Sequence, residues 1–436
     1  MVYSLSKLGI VDLNAMQQDM LEHVRKEASI VLLSATGSGK TLAYLLPLLE
    51  LLDAETQEVK ALLLVPSREL AQQTQSVLKQ LSSEVRCVAC YGGRPAMDEH
   101  RIIRELHPHV IIGTPGRILD HIDKRNFLTE YVETLVIDEF DKCLELGFRQ
   151  QMSAILSELK NVRKRILLSA TDSPGIPAFT GVESYRRLDY LDKSEQVPER
   201  IAVSIVHSPE KDKLQTLLNL VCVLGQQSSL VFVNYRESVE RVGDYLKKNG
   251  VNVDVFHGGM EQRDRERALF RFCNGSCNVF VSTDLASRGL DIPQVDNIIH
   301  YHLPLNEESY IHRNGRTARW DAEGCAYLIL GPTEQIPDYL ADEPKTFAMP
   351  AEIPAPSQPK WVTLYIGKGK KYKVNKIDVV GFLSKVGGLS QSEIGRIEVH
   401  PNWSYASVER RLANKVLERV KGQKIKGLKT IISIAK

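Results

Sequence analysis

Apolar residues in the first 190 positions fall in short continuous runs, at 30–33, 61–65, 110–112, 134–137 and 165–168, separated by longer stretches with helical spacing. Runs of this length that do not alternate read as strands buried on both faces. The stretches between them read as helical crossovers, and the two together predict a parallel sheet. The pattern restarts at 201–206, 229–233, 251–256, 278–281 and 297–300. Two consecutive α/β domains are therefore expected, over residues 1–190 and 200–331. The polar stretch 191–200, with Pro198, is the expected hinge. Seven of the chain's 19 prolines lie between 331 and 359, a composition that predicts an extended, semi-stiff linker over 332–359. Residues 360–436 then run strand (361–366), helix (376–385), strand (394–399), strand (405–408), helix (409–421) and strand (429–434). That βαββαβ order predicts a small α+β domain.

Apolar residues make up 43% of the 436 positions and charged residues 25%, which excludes a chain disordered throughout or a coiled coil. No apolar stretch approaches the roughly 20 residues of a membrane span, and residues 1–7 carry no signal-peptide pattern. Seven cysteines, odd and sparse, suit a reducing compartment better than a disulfide framework. The expected location is the cytoplasm, with no membrane partner. Cys87 and Cys90 have zinc-like spacing but no second pair, and Cys273 and Cys277 lack histidine partners, so neither pair is expected to bind metal. The net charge of +2 hides a division. Residues 360–436 carry 13 Lys and 4 Arg against 1 Asp and 4 Glu, or +12, which leaves −10 on the rest. An acidic body with a basic end is the asymmetry expected of an attached polyanion-binding module.

The clearest chemistry is Ser34-Ala35-Thr36-Gly37-Ser38-Gly39-Lys40-Thr41, placed after a predicted strand and opening the apolar helix that begins at Leu42. This is the setting of a phosphate-binding loop. Glycines let backbone N–H groups turn onto phosphates, and the helix N-terminus favours negative charge. Lys40 would reach the β/γ-phosphates of ATP and the Thr41 hydroxyl would hold Mg²⁺. Ser34 stands where the strict pattern has Gly. Val136-Ile137-Asp138-Glu139-Phe140-Asp141 supplies the matching acids at the end of another strand: Asp138 for the metal and Glu139 to orient the attacking water.

The ordered series SATGSGKT, PSREL, TPGR, DEFD, SAT, STDLASRGLDI, HRNGRTAR, over about 330 residues, resembles the DEAD-box RNA helicases of superfamily 2. The tail, with TLYIGKGKKYKV, IGRIEV and SYASVERRLA, is similar to the RNA-binding domain of the DbpA subfamily and, by its element order, to an RNA-recognition motif (RRM). The resemblance implies two RecA-like parallel-sheet domains that clamp ATP and RNA, plus an RRM-like C-terminal domain. It implies Gln17 as the adenine-reading glutamine and Thr36, Gly37, Ser38 and Gly39 around the phosphates. Gly289 and Asp291 would be nucleotide contacts from the second domain, with Arg316 and Arg319 as finger arginines. Asp141, Ser169 and Thr171 would couple the nucleotide site to strand separation. RNA contacts are implied at Ser67, Arg68, Gly92, Gly93, Thr114, Pro115, Gly116 and Arg117, and at Gln262, Arg265, Thr283, Asp284 and Arg288. Such loops hold phosphates and sugars without reading bases.

In the tail, Lys368, Lys370, Lys371 and Lys373 flank Tyr372, while Arg410 and Arg411 open the second helix. The aromatic signature of a single-strand-binding sheet is weak: Tyr365 holds one position, Trp403 and Tyr405 only loosely the other. The basic surface is therefore expected to bind structured RNA. The chain departs from the family at Phe140, usually Ala, and at His302, Asn314 and Ala318. It also begins too late to supply the aromatic that stacks on adenine, so weaker adenine preference is expected. The expected activity is RNA-dependent ATP hydrolysis that unwinds short duplexes. The expected target is 23S rRNA or pre-50S particles, and the protein is expected to act as a monomer. An ATP-gated RNA clamp and a translocating DNA helicase are the alternatives.

Overall fold

The computed structural model describes residues 3–35, 37–93, 95–172, 176–191, 201–284, 292, 295–317, 324–340 and 344–435. Thr36, Arg288, Gly289, Asp291, Ala318 and Arg319, and nearly all of the expected hinge, lie outside them. The chain divides into two compact units, the second holding both the second parallel sheet and the tail.

In the first unit, β1 (Ser29–Ser34), β2 (Ala61–Leu64), β3 (Cys87–Cys90), β4 (Val110–Gly113), β5 (Thr134–Ile137), β6 (Lys164–Ser169) and β7 (Arg186–Tyr190) form a parallel sheet in the order 3-4-2-5-6-1-7. Alternate residues of each strand enter opposite cores: Ile30, Leu32, Leu63, Ile112 and Val136 pack on one face, Val31, Leu33, Leu62, Ile111 and Ile137 on the other. Burial on both faces is why the central strands, such as β2 and β4, are apolar runs. It also separates Cys87 from Cys90, which enter different cores and cannot share a metal. The edge strand β7 escaped the sequence reading because it is mostly polar and exposed.

The second unit repeats the architecture. Strands β8 (Ile201–His207), β9 (Ser229–Val233), β10 (Val253–Phe256), β11 (Val279–Thr283), β12 (Asn297–His300), β13 (Gly324–Leu330) and β14 (Lys345–Thr346) pair in parallel in the order 10-11-9-12-13-8-14. The proline-rich segment is thus not a free linker throughout. Lys345–Thr346 adds an edge strand to β8, and Phe347, Met349 and Ile353 pack against the second core.

The tail sheet is antiparallel, with β15 (Trp361–Ile366), β16 (Ile394–Val399), β17 (Ser404–Glu409) and β20 (Ile432–Ile434) in the order 16-17-15-20. The expected strand 429–434 is split, because Lys424–Ile425 (β18) and Leu428–Lys429 (β19) pair as a two-residue-turn hairpin. Lys426 and Gly427 in that turn both have positive φ, the geometry that matches strand twist. One sheet face, with Leu364, Ile366, Ala406 and Val408, packs on the tail helices Lys376–Lys385 and Ala413–Val420.

The other face packs on the second parallel domain. Tyr405 is 1% exposed, pairs across the sheet with Tyr365 and stacks on Phe270 of helix Gln262–Cys273 at 5.3 Å between ring centroids. The Arg263 guanidinium lies 5.4 Å from the Tyr365 ring and 5.0 Å from the Trp403 ring. Asn274 Nδ2 donates to Thr363 Oγ1 (2.8 Å), which donates to Ser276 Oγ (2.9 Å). These aromatics are packing residues, which is why the sheet lacks a base-stacking signature.

Candidate nucleotide and RNA sites

The loop after β1 is pinned from the N-terminal helix Ala15–Lys26. Asn14 and Gln17 form a reciprocal capping box, the Asn14 side chain accepting from Gln17 N–H (2.9 Å) and Gln17 Oε1 from Asn14 N–H (3.1 Å). Their free amide groups reach across: Asn14 Nδ2 donates to Ser38 O (3.0 Å) and Gln17 Nε2 to Gly39 O (3.3 Å). Gly39 has φ +94° and a Cβ there would lie 2.6 Å from Gln17 Nε2, so only glycine fits. Ser34, where the strict pattern has glycine, donates its hydroxyl to Ser38 Oγ at 2.7 Å and so ties the two ends of the loop. Lys40 opens the helix Lys40–Leu51, with Thr41 beside it in the first turn. The Lys40 ammonium is buried and donates to the carbonyls of Ser34 and of Ala35, the latter at 2.7 Å.

Asp138 follows β5 and is buried. Tyr44 donates to its Oδ2 (3.1 Å) and Glu139 N–H to its Oδ1 (2.9 Å). Burial pushes its carboxyl above the usual range, against the opposing pull of Lys40. Glu139 has φ +48°, a left-handed conformation that a non-glycine residue keeps only when its surroundings impose it. The next residue, Phe140, explains the imposition: its ring is 4% exposed and belongs to the second core of the sheet. Asp141 accepts from Thr171 Oγ1 at 2.9 Å, and Ser169 Oγ both donates to Thr171 O (2.7 Å) and accepts from Thr171 N–H (3.1 Å). The three residues assigned to coupling are thus one hydrogen-bonded chain joining the end of β6 to the acid loop.

The remaining first-domain loops sit at strand ends. Ser67 caps the helix Arg68–Leu81 by accepting from Leu70 N–H (3.2 Å), and the Arg68 guanidinium packs 3.4 Å from where a Cβ on Gly92 would be. Thr114 precedes the helix Pro115–Asp123, whose proline starts it without wasting a donor. Gly116 faces open space, and Arg117 pairs with Glu99 at 2.9 Å.

In the second domain Arg313, 1% exposed, is the centre of a knot that the sequence reading missed. It donates to both carboxylate oxygens of Asp284 (2.5 and 2.7 Å), to His302 O (2.7 Å) and to Asn234 Oδ1 (2.9 Å). His302 Nδ1 accepts from Asn234 N–H (3.1 Å), and Asn314 Oδ1 lies 3.1 Å from His300 Nε2. Two of the departures from the family pattern, His302 and Asn314, are therefore partners in this knot. Burial and the neighbouring Arg313 push the His300 imidazole down to about 3. Thr283 ends β11, and Arg316 is buried just after the helix Glu307–Asn314. Arg265 donates to His257 O at 3.1 Å and lies 4.2 Å from the Phe256 ring centroid, while Gln262 reaches Glu266 at 3.3 Å. Both are largely buried.

In the tail, Lys370, Lys371 and Lys373 are exposed on the loop after β15, and Lys368 covers the Tyr372 ring at 4.0 Å. Arg410 differs from them: it donates to Pro359 O (2.7 Å) and Trp361 O (3.1 Å) and so ties the domain's entry to its first strand. Arg411 is exposed and pairs with Glu409.

Three family models match the chain: DEAD/DEAH box helicase over residues 14–176, helicase conserved C-terminal domain over 212–321, and DbpA RNA binding domain over 363–434. The ATP-dependent RNA helicase DbpA of Escherichia coli (strain K12) is 33% identical over 434 residues, covering 97% of this chain and 94% of its own length. That of Bacillus subtilis (strain 168) is 30% identical, covering 97% and 95%. Among solved structures, Mss116p bound to ssRNA and AMP-PNP matches with a TM-score of 0.67 at 27% identity, over 75% of this chain and 71% of that one. The fold, the ordered motifs and these relatives agree, and the chain belongs to the DEAD-box ATP-dependent RNA helicases of the DbpA type.

Proposed function

We propose that this helicase unwinds short RNA duplexes in large-subunit ribosomal RNA, 23S rRNA or pre-50S particles, in the cytoplasm and as a monomer, directed there by its tail. The observation that carries the targeting is the division of labour within the tail. One sheet face is spent on the second domain, through Tyr405, Phe270 and Thr363, which leaves the exposed Lys370, Lys371 and Lys373 to meet phosphates. A basic loop beside a closed sheet suits a structured hairpin better than a single strand. The functional division is 1–190 and 200–331 for the ATPase core, 332–359 as connection and 360–436 for RNA targeting.

In the core, Lys40, Thr41, Gly37, Ser38 and Gly39 are the phosphate cradle, with Thr36 completing it, and Gln17 reads adenine. On binding ATP, Lys40 exchanges the carbonyls of Ser34 and Ala35 for phosphate oxygens. Asp138 suits Mg²⁺: burial pushes its carboxyl up despite the pull of Lys40, so a bound cation would favour its charged form, and Thr41 lies on the neighbouring helix turn. The ion would neutralise phosphate charge there. Glu139 orients the attacking water, and Arg316, Arg319, Gly289 and Asp291 complete the site from the second domain. The loops of Ser67, Arg68, Gly92, Gly93 and Thr114 to Arg117, with Gln262, Arg265, Thr283, Asp284 and Arg288, hold one strand by its backbone. The Asp141–Thr171–Ser169 chain carries the state of the nucleotide to that strand.

The test is the ATPase rate with a 23S rRNA fragment against an unstructured homopolymer. It compares the natural chain with one carrying Lys368→Ala, Lys370→Ala, Lys371→Ala and Lys373→Ala. Deleting the tail is a poorer test, since it would uncover Phe270 and strip Asn274 of its partner. Stimulation selective for the rRNA fragment and lost in the lysine variant is expected. Equal stimulation by both RNAs would refute targeting.

A further inference from the structure

Glu99 is 4% exposed and lies on the helix Ala96–Leu106, outside every motif. Three donors converge on its carboxylate. Tyr91 N–H donates to Oε1 at 3.1 Å, and Arg117 Nη1 donates to Oε2 at 2.9 Å. His121 Nε2 lies 3.0 Å from the same oxygen. The Asn126 amide nitrogen stands 2.7 Å from His121 Nδ1. A neutral imidazole that accepts there carries its proton on Nε2 and donates to Glu99. The arrangement is saturated: a buried anion, one guanidinium and two further N–H donors, with no acceptor facing another acceptor. Cys90 Sγ also approaches Glu99 and His121 within metal-binding range. Burial and the Glu99 charge hold that thiol up, and Arg117 already supplies the cation.

The three donors come from two pieces of chain, the turn after β3 and the helix Pro115–Asp123. Tyr91 immediately precedes Gly92 and Gly93, Arg117 ends the Thr114-Pro115-Gly116-Arg117 turn, and His121 lies one helical turn further on. We propose that Glu99 is a positioning residue for the RNA grip, locking the Gly92–Gly93 turn and the start of helix Pro115–Asp123 into one register. This rests on the reading that those two loops hold the RNA backbone. An all-acceptor carboxylate is required because all three neighbours donate. Glutamine has the right size but must turn its NH₂ onto one of them, which breaks one bond and opposes donor to donor.

The measurement is the RNA concentration giving half-maximal ATPase stimulation, with KM for ATP measured alongside, for Glu99→Gln, Glu99→Asp, Arg117→Ala and the Glu99→Gln/Arg117→Ala pair. Glu99→Gln is expected to raise the RNA value about tenfold, within the coupling range of residues sharing one network, with KM for ATP moving less than about twofold. Glu99→Asp, which keeps the carboxylate, recovers most of the loss. The double variant is no worse than Arg117→Ala. If Arg117→Ala weakens RNA stimulation while Glu99→Gln stays within about twofold of the natural chain, the positioning role is overturned and the RNA grip stands. Additive losses in the double variant, or an Asp variant as weak as the Gln one, overturn it too. Unimpaired RNA stimulation in Arg117→Ala removes the underlying reading itself.

Discussion

Phe140→Ala restores the residue usual in this family, yet the structure predicts a substantial loss. The ring is 4% exposed and sits in the core cluster with Ile137, Cys143, Met152 and Ile155. Trimming Phe to Ala withdraws about 100–130 Å² of buried apolar area, worth roughly 3 kcal/mol at about 25 cal/mol per Å². The unfilled cavity raises the cost to about 3–5 kcal/mol. The same ring anchors the chain just after Glu139, whose φ of +48° carries strain on the order of 1–3 kcal/mol that only packing maintains. Loosening the anchor is expected to lower kcat about tenfold with a smaller change in KM for ATP. Tryptophan fluorescence would miss the effect, since Trp320, Trp361 and Trp403 all lie beyond the first domain. Hydrogen exchange across residues 134–145 together with urea unfolding followed by circular dichroism reads it directly. A loss below about 1 kcal/mol with kcat unchanged would refute the argument that this ring holds the acid loop.

Lys40→Ala is expected to abolish ATP hydrolysis while RNA binding persists, because its ammonium donates to both loop carbonyls where phosphate oxygens would take their place; retained turnover would refute the phosphate-loop assignment. Thr171→Ala removes the 2.9 Å bond to Asp141, so ATP hydrolysis should stay within a few-fold while strand displacement falls. With Asp141→Asn added, the two losses should be non-additive by about 1 kcal/mol or more. His300 is held near 3 when folded against 6.5 otherwise. The unfolded chain therefore takes up a proton that the folded one refuses as pH falls below about 6.5. Stability is fully present above that value and drops by about 2 kcal/mol between pH 7 and pH 5. His300→Gln should flatten the difference, which thermal melts across that range measure, and an unchanged slope would place the acid sensitivity elsewhere.

Most core strands were legible in the sequence because parallel strands covered on both faces are apolar at nearly every position, as in Ala61–Leu64. Two edge strands were not, since Arg186–Tyr190 is polar and Lys345–Thr346 lies among prolines, and the central strand Gly324–Leu330 was also left out of the reading. The phosphate loop and acid loop were legible because their chemistry is local, a few residues whose spacing is the mechanism. Glu99 and Arg313 were not, since Glu99 acts through residues up to 22 positions away and Arg313 through Asn234, 79 positions away. A signal for Glu99 did exist. It shares the buried stripe of its helix with Ile103, and an acid on an apolar stripe implies a buried partner. The aromatic signature of the tail sheet was read as weak, and the structure supplies the reason: Tyr405 is committed to Phe270. Pairing of that kind between distant segments leaves no trace in local pattern.

The central claim is that ATP turnover displaces an RNA strand next to a tail-bound hairpin. The most direct measurement is displacement of a short labelled strand from a duplex attached to a 23S rRNA hairpin, with and without ATP, for the natural chain and the four-lysine tail variant. Displacement is expected only with ATP, and is expected to be much slower in the variant. ATP-dependent retention of the RNA with no strand released would contradict it and make the protein a clamp.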